Sequence, residues 1–351
     1  MLNYNYFIFT LLFQFQKEQM IENTPIDVTV LMPVYNSERY LKDAIVSILN
    51  QTFKNFELLI VNDGSLDRSD EIIRSFKDSR IIYINNATNS GIVDALNEGL
   101  KLSRGTYIAR MDADDVANPN RLALQFEFLK ANPDYKLCGT NATLINHSGE
   151  KTGKIKRPYN YANIKVQQFF RNAFIHPTIM ADAALMKSLG YAKDYEYAED
   201  YFLFSQIAMR YKAANINYEG IQYRVHNESI SAKKLEGMVK SETQTMVYLL
   251  ALLFDEITNA AVKTHHLLLR PPQNAGKQDI KNIENHLINI KNANQTKHIF
   301  DESLLEKQLQ KEWFETLKRS NENNKFKKFV SSKLFSASPY NLKHLSKLLF
   351  A

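Results

Sequence analysis

The segment Tyr107-Ile-Ala-Arg-Met-Asp-Ala-Asp-Asp115 passes abruptly from a buried-strand pattern to a run of carboxylates. Gly105 and Thr106 close the preceding segment. Tyr107 to Met111 reads as a short strand, and Asp112, Asp114 and Asp115 crowd its carboxyl end. Like charges this close are costly unless a cation lies among them. Mg²⁺ or Mn²⁺ suits the set, because such hard ions take oxygen ligands and use few carboxylates beside water and substrate phosphates. The plainer reading is a solvated acidic turn ahead of a helix, and an isolated Asp-x-Asp does not separate the two.

The surrounding pattern does separate them. A strand from Val28 to Val34 is followed by an amphipathic helix near Glu38 to Asn50, then by strands Phe56 to Val61 and Arg80 to Ile84. Helix Ile92 to Leu102, the acidic strand, helix Asn120 to Lys130 behind Pro119, and a strand region from Tyr135 to Asn146 come next. Strands alternating with helices of this length predict an α/β chain built of βαβ units around a parallel sheet. Ligands bind such sheets at the carboxyl ends of strands, where Asn36, Asp63 and the Asp112 to Asp115 cluster all fall. Asp63 alone is ordinarily a turn or cap residue; three polar clusters at three strand ends point to a nucleotide pocket facing a metal. Neither Gly-x-Gly-x-x-Gly nor Gly-x-x-x-x-Gly-Lys-Ser/Thr occurs, so an ordinary dinucleotide site and a P-loop are excluded and the phosphates are left to the metal.

After residue 146 the rhythm loosens, and residues 147 to 170 are polar and basic with little periodicity. Glu199 and Asp200 open an amphipathic helix running to about Tyr211, a placement that dipole complementarity alone would explain. His226 follows a short strand near Tyr223; a lone loop histidine is more often structural than a ligand.

A chain of 351 residues leaves room for a catalytic domain and an appendage. Its single cysteine, Cys138, rules out an intramolecular disulfide and a cysteine zinc cluster, and a reducing, cytoplasmic setting fits. The net charge of +6 is concentrated at the end: from Lys318 onward, eight Lys/Arg stand against one acidic residue. The body is therefore near neutral, which argues against a nucleic-acid-binding core. Residues 1 to 25 form an N-terminal extension. Its apolar run Tyr6 to Phe13 is too short to span a bilayer, and the stretch before Met20 is either upstream of the true start or an interfacial segment. Residues 232 to 351 read as helices through Met246 to Ile257, Ile280 to Ile290 and Leu304 to Leu317, with Trp313 and Phe314 on a core. The tail segments Lys325 to Phe335 and Leu342 to Phe350 mix lysine with large apolar residues at helical spacing. They suit either a helix on an anionic membrane or a basic helix packed on the domain.

The ordered motifs Val28-Thr-Val-Leu-Met-Pro-Val-Tyr-Asn36, Val61-Asn-Asp-Gly-Ser65, Asn89-Ser-Gly91, Met111-Asp-Ala-Asp-Asp115, Arg121-Leu122, His176-Pro177, Glu199-Asp200 and Arg224-Val-His226 resemble family 2 inverting glycosyltransferases. The resemblance spans roughly residues 26 to 231. It implies a GT-A fold, a Rossmann-like mixed sheet flanked by helices, followed by a helical C-terminal region. It also implies a nucleotide-sugar donor, a UDP-sugar by preference, and a glycan or lipid-linked acceptor. The donor contacts it implies are Pro33, Val34, Tyr35, Asn36, Asp63, Asn89, Arg110 and Asp112, with Asp63 on the uracil edge. Asp114, Asp112 and His226 are implied for Mn²⁺ or Mg²⁺, Asp200 as general base with Glu199 beside it, and His176 near the acceptor. A sugar nucleotidyltransferase and a non-catalytic binding module are the alternatives; the former would release pyrophosphate rather than nucleoside diphosphate.

Overall fold

The computed structural model describes residues 25–225, 235–269 and 276–336. Strands β1 (Val28–Val34) and β2 (Phe56–Asp63) are buried along their whole length and pair in parallel, Val28 against Phe56 through Val34 against Asn62. Both faces of these strands are apolar because both are covered, as a parallel sheet requires. Val28, Val30, Met32, Leu58 and Ile60 face helix α1 (Leu41–Leu49), which contributes Leu41, Ala44, Ile45 and Ile48. On the opposite face Leu31, Leu59 and Val61 meet Val93, Leu96 and Leu100 of α3 (Ile92–Leu102). Gly99 permits that approach, since a Cβ there would stand 2.1 Å from Leu31 Cδ1. A short α2 (Ser69–Ser75) leads to β3 (Ile81–Asn86) on the parallel edge.

Beyond β1 the sheet turns mixed. Strand β4 (Tyr107–Arg110) pairs in parallel with β1 and antiparallel with β8 (Met180–Asp182), and β8 pairs antiparallel with β6 (Tyr135–Ile145). Strand β9 (Lys212–Arg224) lies parallel to β6 and takes β5 (Val116–Ala117) on its far side, while β7 (Lys151–Ile155) hangs on β6. The order is β3-β2-β1-β4-β8-β6-β9-β5. The chain thus leaves the sheet at the end of β4, passes β8, β6 and β9, and rejoins it at β5. The acidic loop is what crosses.

Helices α4 (Arg121–Ala131) and α7 (Glu199–Arg210) match the periodicity closely. Residues 147 to 170, read as irregular, instead hold β7 and α5 (Tyr161–Phe170). Exposed β7 has no apolar alternation and is held by its backbone ladder; α5 buries Ile164, Val166, Phe169 and Phe170. The strand ahead of His226 is 13 residues long rather than short, its pairing interrupted by register shifts around Asn141. Helix α6 (Ala183–Leu189) completes this part.

The C-terminal region is helical, with α8 (Leu235–Leu250), α9 (Asn259–Leu269), α10 (Lys277–Lys297), α11 (Glu302–Arg319) and α12 (Lys325–Ser331). Trp313 and Phe314 are buried there beside Leu287 and Ile290, in a cluster that also takes Phe169 and Phe170 of α5 and Tyr201 of α7. The helices therefore share a core with the elements that carry Glu199 and Asp200. In the basic tail, Phe329 and Leu334 are buried in the same cluster, so that part packs on the protein; residues 337–351 lie outside the described residues. No described helix is long and apolar enough to cross a membrane.

Candidate active site

Strand β4 ends at Arg110, Met111 is fully buried, and Asp112, Asp114 and Asp115 can each present a carboxylate oxygen within 4.8 Å of the other two. Arg224, the last residue of β9, closes the loop from the other side. Its N–H donates to Asp115 Oδ1 at 2.7 Å, its Nε donates to the Asp114 carbonyl at 2.8 Å, and its guanidinium lies 4.2 Å from the Tyr40 ring centroid. Asp115 is buried and its Oδ2 has no hydrogen-bond partner among the described residues. Burial, then the charges of Asp112 and Asp114, push its carboxyl well above the usual range; burial likewise raises Asp112, against the pull of Arg110. Three oxygen donors, one of them orphaned in the interior, form a set that a hard divalent cation fits. Exposure of the cluster on one side leaves room for a ligand to complete the shell.

Arg110 joins this cluster to the second half of the site. Its guanidinium is buried, is ion-paired with Asp112, and keeps an Nε without a hydrogen-bond partner among the described residues. Its positive charge also lowers the pKa of Glu199, Asp200 and Tyr191 and disfavours protonation of His176. Buried Arg121 supports the strand from behind, donating through Nη2 to the carbonyls of Arg110 at 2.6 Å and Ile179 at 3.3 Å.

Glu199 and Asp200 open α7, where the helix dipole favours anions. Their surroundings nevertheless drive them apart. Burial and the neighbouring Asp200 raise Glu199 to about 8, and its Oε2 has no hydrogen-bond partner among the described residues. Burial raises Asp200 only to about 6, because the Tyr201 N–H, Arg110 and the Asn172 amide favour its carboxylate. The surroundings thus favour the proton on Glu199 and the charge on Asp200; adjacent carboxylates with separated affinities are a familiar acid and base arrangement. Its two oxygens receive the Tyr201 N–H at 2.7 Å and Asn172 Nδ2 at 2.9 Å. His176, in a 3-10 turn of residues His176–Thr178, lies 2.9 Å from the Tyr191 hydroxyl. Burial and Arg110 keep its pKa well below normal, so the ring is neutral.

Besides Arg110 and Asp112 at β4, the expected donor residues lie at or after the ends of β1, β2 and β3, with different capacities. Tyr35 and Asn36 are exposed, whereas Pro33 and Val34 are buried in β1 and can offer only main-chain atoms. Asn36, at φ 48°, accepts from the Leu66 N–H at 2.8 Å and donates its own N–H to Ser65 Oγ at 3.0 Å, tying the two loops together. Asp63 receives the Ser90 N–H at 3.0 Å, the Ser90 hydroxyl at 2.7 Å and the Gly91 N–H at 2.8 Å. It therefore secures the start of α3, the role a cap residue plays. Gly64, at φ 67°, lets this turn press on residue 88, whose carbonyl carbon would lie 2.5 Å from an added Cβ. Asn89 is exposed beside it. His226 lies outside the described residues. Asn172, Tyr191 and the part played by Arg224 were not legible beforehand: Asn172 and Tyr191 stand in no motif, and Arg224 had only its place in one.

The model of the Glycosyl transferase family 2 domain matches residues 29–188, which includes every strand-end cluster but stops before Glu199. The O-antigen biosynthesis glycosyltransferase WbnJ of Escherichia coli is 33% identical over 219 residues, 59% of this chain and 83% of WbnJ. The UDP-Glc:alpha-D-GlcNAc-diphosphoundecaprenol beta-1,3-glucosyltransferase WfgD of Escherichia coli is 30% identical over 214 residues, 60% and 82% of the two chains. Among solved structures, S. aureus TarS 1-349 in complex with UDP-GlcNAc superposes with a TM-score of 0.56 at 14% identity, covering 83% of this chain and 89% of that one. The mannosyltransferase PcManGT of Pyrobaculum calidifontis, in complex with GDP-Man and Mn²⁺, gives 0.51 at 17% identity and covers 82% of each chain. The shared fold is GT-A.

Proposed function

Because the chain belongs to glycosyltransferase family 2, we propose that it is a metal-dependent inverting enzyme moving a hexosyl or N-acetylhexosaminyl group from a UDP-sugar to a hydroxyl of a growing surface polysaccharide or lipid-linked glycan. The observation that carries this reading is the pairing of two carboxylate groups of opposite aptitude around Arg110: an acidic cluster suited to a cation, and a separate base, Asp200, poised near neutrality.

Asp112, Asp114 and Asp115 would hold Mn²⁺ or Mg²⁺, with His226 as a further ligand. Such an ion, when bound, neutralises the charge that gathers on a nucleoside diphosphate leaving group. The chain's own residues do the rest. Pro33, Val34, Tyr35, Asn36 and Asn89 flank the base and ribose, and Asp63, which also fixes the start of α3, meets the uracil edge. Arg110 holds Asp112 in place and keeps Asp200 ionised. Asp200 takes the proton from the acceptor hydroxyl as it attacks, and one base with one displacement inverts the anomeric carbon. Neutral His176 and Tyr191 line the acceptor side. The donor named in WfgD and the ligand of TarS support uridine; GDP-Man in PcManGT makes guanosine the competing reading. Residues 337–351 belong to the same proposal as a contact with the inner face of an anionic membrane, exposed Lys327 and Lys333 adding charge.

The test is a screen of nucleotide-sugars by thermal shift with and without Mn²⁺, followed by product analysis. UDP-sugars should stabilise the protein only with the ion, and transfer should release UDP with inversion. Stabilisation by a GDP-sugar alone would overturn the uridine assignment, and release of pyrophosphate would overturn glycosyl transfer.

A further inference from the structure

Asp200 is tied to one helix through both of its carboxylate oxygens. Oδ2 takes the hydrogen bond from Asn172 Nδ2 at 2.9 Å, just past the end of α5, and Oδ1 takes the Tyr201 N–H at 2.7 Å. Tyr201 is bound in turn to Gln168 of α5, its hydroxyl donating to the Gln168 carbonyl at 3.1 Å and its own carbonyl accepting from Gln168 Nε2 at 3.2 Å. Gln168 Oε1 also receives the Ala173 N–H at 2.7 Å, and Asn215 of β9 donates to the Ala173 carbonyl at 3.1 Å. Asn172 therefore stands between Arg171 and Ala173, and its aim depends on how both are held.

What holds Arg171 comes from α11. Glu312 is 4% exposed; its two oxygens accept from Arg171 Nη2 at 2.7 and 2.6 Å, and Gln308, one turn earlier, donates to its Oε1 at 2.6 Å and so sets the carboxylate. Adhesion of α11 to α5 does not need this pair, because Leu309, Trp313 and Phe314 are buried in one cluster with Phe169 and Phe170. A buried carboxylate carries a desolvation cost that its cation scarcely offsets, and an apolar pair of similar volume would pack as well. What the ion pair adds over apolar contact is a fixed position for particular atoms, here those of the residue next to Asn172. Glu312 lies in the helical region, outside residues 29–188 matched by the family model.

We propose that Glu312 is a positioning residue for the transfer reaction: through Arg171 it sets the place of Asn172, and hence of the Asp200 carboxylate, so that the C-terminal helices complete the active site. This rests on the glycosyltransferase reading with Asp200 as base, and adds the part of the chain that aligns that base. The other charged or titratable groups acting on Asp200 are Glu199 beside it, Arg110 and Asp112 from β4 and the loop after it, Arg157 and Tyr191. None of these hydrogen-bonds to Glu312 or Arg171 among the described residues, so a change at Glu312 reaches Asp200 by way of Asn172.

The experiment uses the full chain with Mn²⁺ and the donor found by the screen, and compares wild type with Arg171→Met and Glu312→Leu made together, which removes the tie and keeps the packing. The expected result is an unchanged or raised urea midpoint, unchanged donor affinity and a kcat lower by about 10- to 100-fold. The acid limb of the kcat profile should move to higher pH, because a carboxylate that loses a donor is protonated more readily. Adding Asn172→Ala to that pair should cost almost nothing more, since both changes cut the same path. Glu312→Gln, which keeps the shape and an acceptor for Arg171, should retain more activity than Glu312→Ala, a comparison that stands even if the apolar pair does not fold. An unchanged kcat with an unmoved acid limb, donor binding lost together with activity, or losses that multiply with those of Asn172→Ala would each overturn the positioning role and leave the pair as a contact of the fold. Transfer that survives in Asp200→Asn would strike the choice of base, and absence of nucleoside diphosphate release by wild type with every donor would strike the glycosyltransferase reading.

Discussion

Asn172 donates from Nδ2 to Asp200 Oδ2 at 2.9 Å while its own Oδ1 receives the Phe174 N–H at 3.2 Å, so the amide is fixed with its donor toward the carboxylate. This distinguishes Asp200 from Glu199, whose Oε2 has no hydrogen-bond partner among the described residues. The loop that carries Asn172 is itself held by Arg171 and Glu312, a tie from the C-terminal helices to the neighbourhood of Asp200.

Asn172→Ala should therefore move the acid limb of the kcat profile to higher pH. A hydrogen bond to a charged group contributes roughly 1.5–3 kcal/mol, so the limb should rise by about one pH unit or more. Activity at pH 6 falls and is recovered in more alkaline buffer. A uniformly depressed profile with an unmoved limb would reduce Asn172 to a structural residue.

Asp200→Asn should lower transfer by about 10² to 10⁴-fold with donor affinity kept. Glu199→Gln should behave differently: with a carboxyl raised to about 8, Glu199 is already largely neutral at pH 7, and glutamine resembles that form. Side-by-side donor titration and transfer rates decide the matter. Loss of transfer in the Glu199 variant with retention in the Asp200 variant would shift the base by one residue.

Asp114→Asn should abolish turnover and most of the thermal stabilisation by Mn²⁺. Saturation to 100 times Kd stabilises a protein by about 2.7 kcal/mol, an easily measured shift. Burial raises the carboxyls of Asp112 and Asp115, so protons compete with the ion and Mn²⁺ affinity should rise with pH. Full activity of the variant in EDTA would remove the metal from the reading.

His265 and His286 predict a pH dependence of stability in the helical region. Their ring nitrogens lie 3.1 Å apart in the interior, and burial lowers their pKa values to about 3 and about 4, from an ordinary 6.5. The unfolded chain takes up protons near pH 6.5 that the folded chain refuses. Stability is thus intact above that pH and declines as pH falls through the window toward 3 to 4. Urea unfolding at pH 7.5 and pH 5 should show a smaller difference in the double variant His265→Gln, His286→Gln than in wild type. An identical difference would place the acid sensitivity elsewhere.

Phe329→Ala should destabilise the protein by about 3–5 kcal/mol, since the ring is fully buried against Phe314 and Phe335. Lys327→Gln, exposed on the same helix, should change stability little. Unchanged urea midpoints in the Phe329 variant, together with lost binding to anionic vesicles, would reassign the segment to the membrane.

Local periodicity was enough to read β1, β2, α3, α4 and α7, because their side chains repeat with the period of the element and bury against whatever covers them. The acidic run after β4 was legible for the same reason, its carboxylates lying in nearly consecutive residues, whereas Glu199 and Asp200 could be read locally only as acidic residues opening a helix, their role coming from the family resemblance. Strand β7 escaped because an exposed ladder places no demand on its side chains, and the length of β9 was hidden by its register shifts. The sequence alone determined which strand ends would carry the polar clusters. Only the tertiary structure decided how those clusters are joined. Arg224 reaches Asp115 across 109 residues and Asn172 reaches Asp200 across 28, and Arg110 adds a single buried charge between two groups of carboxylates. Such contacts depend on the order of strands in the sheet and on the route of the crossing loop, and no local repeat encodes either.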